Sequence, residues 1–131
     1  MNITTRFGQI KLIAPNIAEL IINQNIVVTL ELMEEYDALM SRHFNESYGV
    51  LVNRLNNYSY TFEALLCIGS AKNLKAAAVI NYGHANEEQI KGLAAVRQMD
   101  DLNIKEFSGL ELGRDNAISW LEEQLNNVVS A

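Results

Sequence analysis

Cys67 and Pro15 are the single cysteine and the single proline among 131 residues. One thiol excludes an intrachain disulfide, so the fold must rest on its own core, and the thiol suits a reducing compartment. With one proline and only seven glycines, the chain has no Pro- or Gly-rich linker, no low-complexity stretch and no internal repeat. It reads as a single domain over residues 1–131. Basic residues are also scarce: ten Lys and Arg stand against sixteen Asp and Glu, a net charge of −6. Nucleic acid and anionic membranes both attract basic fields, so neither is an expected partner. No apolar run approaches the roughly 18 residues of a membrane span. The opening Met-Asn-Ile-Thr-Thr-Arg-Phe-Gly-Gln has no apolar core of signal-peptide length. A cytoplasmic protein is the expectation.

What is present is an ordinary globular composition, 49% apolar and 20% charged, enough for a core without staples. Gln9-Ile10-Lys11-Leu12 alternates, Pro15-Asn16 punctuates, and Ile17-Ala18-Glu19-Leu20-Ile21-Ile22 resumes, which predicts a hairpin or edge pair with one partly wet face. Ile26-Val27-Val28 forms a short link, and Thr29 suits a helix N-cap. From Leu30 the period becomes helical: Leu32, Met33, Tyr36, Leu39, Met40, His43 and Phe44 recur at three and four. Acids gather near its start, with Arg42 and His43 at its end, as the helix dipole favours.

The continuous apolar run within Tyr48–Leu55 predicts a strand covered on both faces. A second helix is expected over 62–71, and a strand over 74–82 whose alanines admit a closely packed helix. A third helix begins near Asn86, a short strand covers 104–107, and a last helix starts near Asp115. The order β-β-α-β-α-β-α-β-α predicts an α/β domain, mainly a parallel sheet with a leading antiparallel hairpin.

Chemistry is sparse. Paired acids at Glu34-Glu35, Glu87-Glu88, Asp100-Asp101 and Glu122-Glu123 point about 100° apart on helices and read as solvated faces. No nucleotide-binding glycine motif or nucleophile elbow occurs, and no His, Cys or carboxylate set has a metal-ligand spacing. Cys67 falls within the second helix, a usual place for a packing residue. No catalytic residue, cofactor or metal is therefore expected.

The polar stretch Asn53-Arg54-Leu55-Asn56-Asn57-Tyr58-Ser59-Tyr60-Thr61 is the best site candidate. It joins the end of a buried strand to a helix start, where ligand sites of open α/β sheets gather. Asn53, Arg54, Asn57, Tyr58 and Ser59 are the residues proposed to contact a partner or ligand. His84, following Asn81-Tyr82-Gly83 at the next strand's end, joins them if the strands are neighbours. Ser59 and Thr61 are candidate phosphorylation sites, since unsatisfied N–H groups at a helix start favour an anion. Either hydroxyl also serves as an ordinary cap.

The element order, with Tyr-Gly-Val-Leu-Val-Asn-Arg-Leu-Asn-Asn-Tyr-Ser at 48–59, Leu-Lys-Ala-Ala-Ala-Val-Ile at 74–80 and Asp-Asn-Ala-Ile-Ser-Trp-Leu at 115–121, resembles the STAS fold. More narrowly it is similar to small bacterial relatives of the sporulation anti-sigma factor antagonist. The resemblance implies a non-enzymatic regulatory module that binds a protein, such as a regulatory kinase or an anti-sigma-like factor. It also implies phosphorylation in the turn before the second helix. In the phosphorylated members that turn carries an Asp-Ser-Ser/Thr-Gly-type motif; here it reads Asn57-Tyr58-Ser59-Tyr60-Thr61, with the hydroxyls but neither Asp nor Gly. Two other readings stand beside it: a small-molecule or lipid-binding domain using the same strand ends, and a homodimer formed through the leading hairpin.

Overall fold

The computed structural model describes residues 2–56, 58–61, 63–64, 73–82, 103–109 and 112–129. Its first elements form an antiparallel group. Strand β1 (Asn2–Thr4) pairs with β2 (Gly8–Ala14), and β2 pairs with β3 (Ile17–Ile22). Pro15 and Asn16 make the expected turn, since proline supplies the turn's backbone angle and lacks a ladder donor. The outer strand β1 is an addition to the predicted hairpin. It occupies the outer edge of β2, and its return is shaped by Thr5, whose hydroxyl accepts from the N–H groups of Phe7 and Gly8.

Asn25 adopts φ 64° in the turn after β3, a left-handed geometry that asparagine tolerates. Val27–Val28 then forms strand β4 and Leu30–His43 forms helix α1. Thr29 is the N-cap: its hydroxyl accepts from the Leu32 N–H at 3.3 Å, while Glu31 lies in the first turn and Arg42 and His43 in the last. Local signals alone account for these ends.

Strands β5 (Tyr48–Asn53), β7 (Leu74–Asn81) and β8 (Ile104–Ser108) extend the sheet in parallel from β3, in the order β1-β2-β3-β5-β7-β8. The domain is thus α/β with a mostly parallel sheet and a leading antiparallel hairpin. Strand alternation sorts its two cores. Leu20, Ile22 and Val50 pack with Met33 and Met40 of α1 on one face. Ile17, Leu51, Ala76, Ala78 and Ile80 pack on the other with Ala117, Leu121 and Leu125 of helix α2 (Gly113–Val129). The alanines of β7 do admit a close helix, and it is α2. A Cβ at Gly49 would lie 3.1 Å from Leu121 Cδ2, so glycine there lets the helix settle on the sheet.

The strand expected over Tyr48–Leu55 ends at Asn53, and one more element is an addition. Residues 53–61 contain a further strand, β6 (Ser59–Tyr60), which pairs in parallel with β4. The reason is backbone satisfaction: the N–H groups of Ser59 and Thr61 donate to the carbonyls of Ile26 and Val28 at 3.1 and 3.0 Å. The last helix begins at Gly113, close to the expected start near Asp115. The expected second helix over 62–71, with Cys67, is described only at Glu63 and Ala64, both helical. The rest of it, and the expected third helix, lie outside the described residues.

Candidate functional site

Asn53 ends β5, and the pleat sends successive side chains to opposite faces. Asn53 therefore turns toward α2, and Arg54 toward the α1 side. Their ladder neighbour is β7: Asn53 pairs with Ile80, and the Arg54 N–H donates to the Ile80 carbonyl at 3.1 Å. The strand ends holding 53–54 and 81–82 are adjacent, as the proposed site requires.

On the α2 side, Asn53 Nδ2 donates to Glu19 Oε2 at 2.9 Å. Arg114, one residue into α2, clasps the same carboxylate with both arms: Nη2 reaches Oε1 at 2.9 Å and Nε reaches Oε2 at 3.2 Å. Glu19 is only 4% exposed. Burial pushes its carboxyl up, but the bonds from Arg114 and Asn53, with the charges of Arg114 and Lys11, outweigh burial and hold it below the usual carboxylate range. Asn53 Oδ1 is buried without a hydrogen-bond partner among the described residues. A Cβ at Gly113 would collide with the Ser108 carbonyl. Glycine thereby lets α2 start hard against the end of β8 and bring Arg114 over the sheet.

On the α1 side, Arg54 is 1% exposed. Its Nη2 donates to the Tyr58 carbonyl at 3.1 Å, and its guanidinium lies 4.6 Å from the Tyr58 ring centroid. The loop thus folds around its own arginine, joining a charge-assisted hydrogen bond to a cation–π contact. Tyr58 is buried; its hydroxyl shares a 3.2 Å hydrogen bond with that of Tyr60, and the two rings meet edge to face. Burial holds both phenols above their ordinary range, so they stay protonated. Asn56 Nδ2 ties the loop to the Ile22 carbonyl at 2.9 Å.

Ser59 is half-buried on β6. The Thr61 hydroxyl accepts from the Ala64 N–H at 3.2 Å, the geometry of a helix cap. Asn57 and His84 lie outside the described residues. The structure therefore joins Arg54 to Tyr58 and Asn53 to Glu19, and it sets Ser59 and Thr61 on a strand and a cap. Neither Glu19 nor Arg114 was a sequence candidate. The one signal for Glu19 was an acid inside the apolar run Ile17–Ile22; its arginine lies 95 residues further on.

The surface at this end of the sheet differs from the rest. Among the described residues, the large apolar side chains left exposed are Val27, Leu30, Leu55, Tyr82 and Leu112. Val27 and Leu30 follow β3, Leu55 follows β5, Tyr82 follows β7, and Leu112 follows β8. All five come after the carboxyl end of a parallel strand. Leu55 is 54% exposed and Leu112 65%. The Tyr82 ring lies against Gly109, where a Cβ would strike it. No group of three His, Cys, Asp or Glu residues that could hold a metal occurs among the described residues, and no described helix is long and apolar enough to cross a membrane. Compared with known proteins, the chain matches no family model, no curated protein and no solved structure.

Proposed function

We propose that this chain is a non-enzymatic interaction module of STAS-like type that docks a partner protein through the carboxyl ends of its parallel strands. The observation that supports this reading is the set of exposed apolar residues, Val27, Leu30, Leu55, Tyr82 and Leu112. Each follows the carboxyl end of a parallel strand, and exposed apolar groups brought to one end of a sheet suit a partner surface. The Arg54–Tyr58 contact and the Glu19–Asn53–Arg114 cluster tie these strand ends with buried contacts, and preformed contacts of that kind lower the ordering cost of docking. Ser59 and Thr61 lie beside this surface, so phosphorylation there would add negative charge at its margin.

Affinity capture from the native host, followed by direct titration of the purified partner, tests the reading. Leu55→Asp and Leu112→Asp should each weaken the partner by about tenfold or more, while Glu34→Ala on the exposed side of α1 should leave it unchanged. Full-strength binding by both strand-end variants would reject this surface. For the switch, mass spectrometry of the native protein should find phosphate on Ser59 or Thr61. Two unmodified hydroxyls under every growth condition, with unchanged binding by Ser59→Asp, would remove it.

A further inference from the structure

The two edge strands of the large sheet are β1 and β8, and they are not alike. Strand β8 carries Lys105 and Glu106, both exposed, and charges of that kind keep an edge from pairing with another chain. Strand β1 reads Asn2-Ile3-Thr4, with no charge, no proline and an unbroken register against β2. Arg6, just beyond it, is turned back onto α1, where Glu31 and Glu35 accept from its guanidinium. Of the devices that protect an edge, β1 has only its shortness. Among the described residues no strand pairs with its outer side.

Hydrogen bonding decides which groups face outward. The Thr5 N–H donates to the Gly8 carbonyl at 2.8 Å, which makes Thr5 and Gly8 a bonded pair. Bonded and non-bonded pairs alternate along an antiparallel ladder. Ile3–Ile10 is therefore bonded, and Asn2–Lys11 and Thr4–Gln9 are not. The N–H and C=O of both Asn2 and Thr4 consequently point away from β2, at the free edge. The side chains sort as plainly: Ile3 is half-buried against the core on the α1 face, while Asn2 and Thr4 are exposed on the other.

We propose that β1 pairs antiparallel with β1 of a second copy of the chain, joining the two sheets into one. The occupant is a second copy because this edge is its own complement. Its outward groups sit symmetrically about Ile3, so a two-fold axis through Ile3 sets Asn2 of each chain opposite Thr4 of the other. Every outward N–H of β1 then meets an outward carbonyl. The two Ile3 side chains face each other as a non-bonded pair, the closer kind, and each covers the part of the other left wet. On the opposite face Asn2 meets Thr4, so no like charges confront each other along the strand. The interface is small and the dimer correspondingly weak, with a Kd on the order of 0.1 mM. Nothing in this pairing depends on the docking surface.

Sedimentation velocity of the intact chain between about 10 µM and about 1 mM should show a monomer giving way to a dimer. Thr4→Pro removes an outward N–H that the β1–β2 ladder does not use. Ile3→Lys sets like charges face to face across the axis. Each should weaken the dimer by about tenfold or more while the circular dichroism spectrum stays that of the wild type. Register is read by oxidation in a Cys67→Ser background. Ile3→Cys should form an intermolecular disulfide, because a non-bonded pair brings its two Cα atoms within disulfide reach. Thr4→Cys, which faces Asn2 of the other chain, should form one about tenfold more slowly. A wild type that stays monomeric at about 1 mM overturns the proposal. So does a dimer that survives both Thr4→Pro and Ile3→Lys, or a Thr4→Cys disulfide that forms as fast as that of Ile3→Cys.

Discussion

Replacing Arg114 with alanine strands a carboxylate that the fold has already buried. Glu19 receives three N–H donors, two of them from Arg114 and one from Asn53. Breaking a fully buried ion pair costs about 3–5 kcal/mol. Here the Arg114 side chain is 46% exposed and the Glu19 side chain 5%, so water would enter from the arginine's side and lower the cost to about 2 kcal/mol. With a urea dependence of about 2 kcal/mol/M, the unfolding midpoint of Arg114→Ala at pH 7 should fall by about 1 M. The pH dependence is more diagnostic. In the wild type the Glu19 carboxyl is held below its unfolded value. It therefore stabilises the fold above the ordinary carboxylate range, and that stability disappears as pH falls through the depressed value. Without Arg114, burial dominates and raises the same carboxyl, so the variant's deficit should shrink between pH 7 and pH 4.5 as Glu19 becomes neutral. Glu19→Gln keeps an acceptor for Asn53 and should cost about 1 kcal/mol, nearly independent of pH. A midpoint for Arg114→Ala equal to wild type at pH 7 would refute the reasoning, and so would a deficit that is the same at both pH values.

Burial and the charge of Glu34 push the half-buried Asp37 carboxyl up to about 6. Because the raised value penalises the ionised form, Asp37→Asn should stabilise the fold by about 1 kcal/mol at pH 7.5, after discounting for solvent contact, and confer no gain at pH 4. Denaturation at the two pH values checks this. Thr61→Ala should cost about 1 kcal/mol through loss of its cap to Ala64, whereas Ser59→Ala should stay within about 0.5 kcal/mol; equal effects would contradict the cap. Arg54→Ala should cost about 3 kcal/mol, since it empties a buried volume and removes the donor to the Tyr58 carbonyl. Arg54→Lys should recover only part of that in thermal unfolding, because an ammonium lacks the planar fork.

Where one residue and its near neighbours set the outcome, the sequence was legible. Thr29 followed by periodic Leu32, Met33 and Tyr36 specified α1 and its start, and the apolar run within Tyr48–Leu55 specified a buried strand, which ends two residues earlier, at Asn53. The pairing of β4 with β6 was not legible, because two-residue strands carry no period and exist only through the partner they meet. The same limit governs the candidate site. Its location at the end of β5 could be read from the order of elements, and a hydroxyl cap at Ser59 or Thr61 from their place before a helix; the structure gives that role to Thr61. That Arg54 would turn inward onto Tyr58 could not be read, since a polar run looks alike whether it faces water or its own ring.

The sequence by itself determined an α/β class with a mostly parallel sheet, the hairpin at Pro15, the capped first helix and the absence of any intrachain disulfide, because each depends on local sterics, local periodicity or composition. Tertiary structure alone decided two things. It brought Glu19 and Arg114 together across 95 residues, and it left Leu55, Tyr82 and Leu112 exposed after the carboxyl ends of parallel strands. Each of these depends on strand order and helix placement, which bring together residues that no local pattern relates.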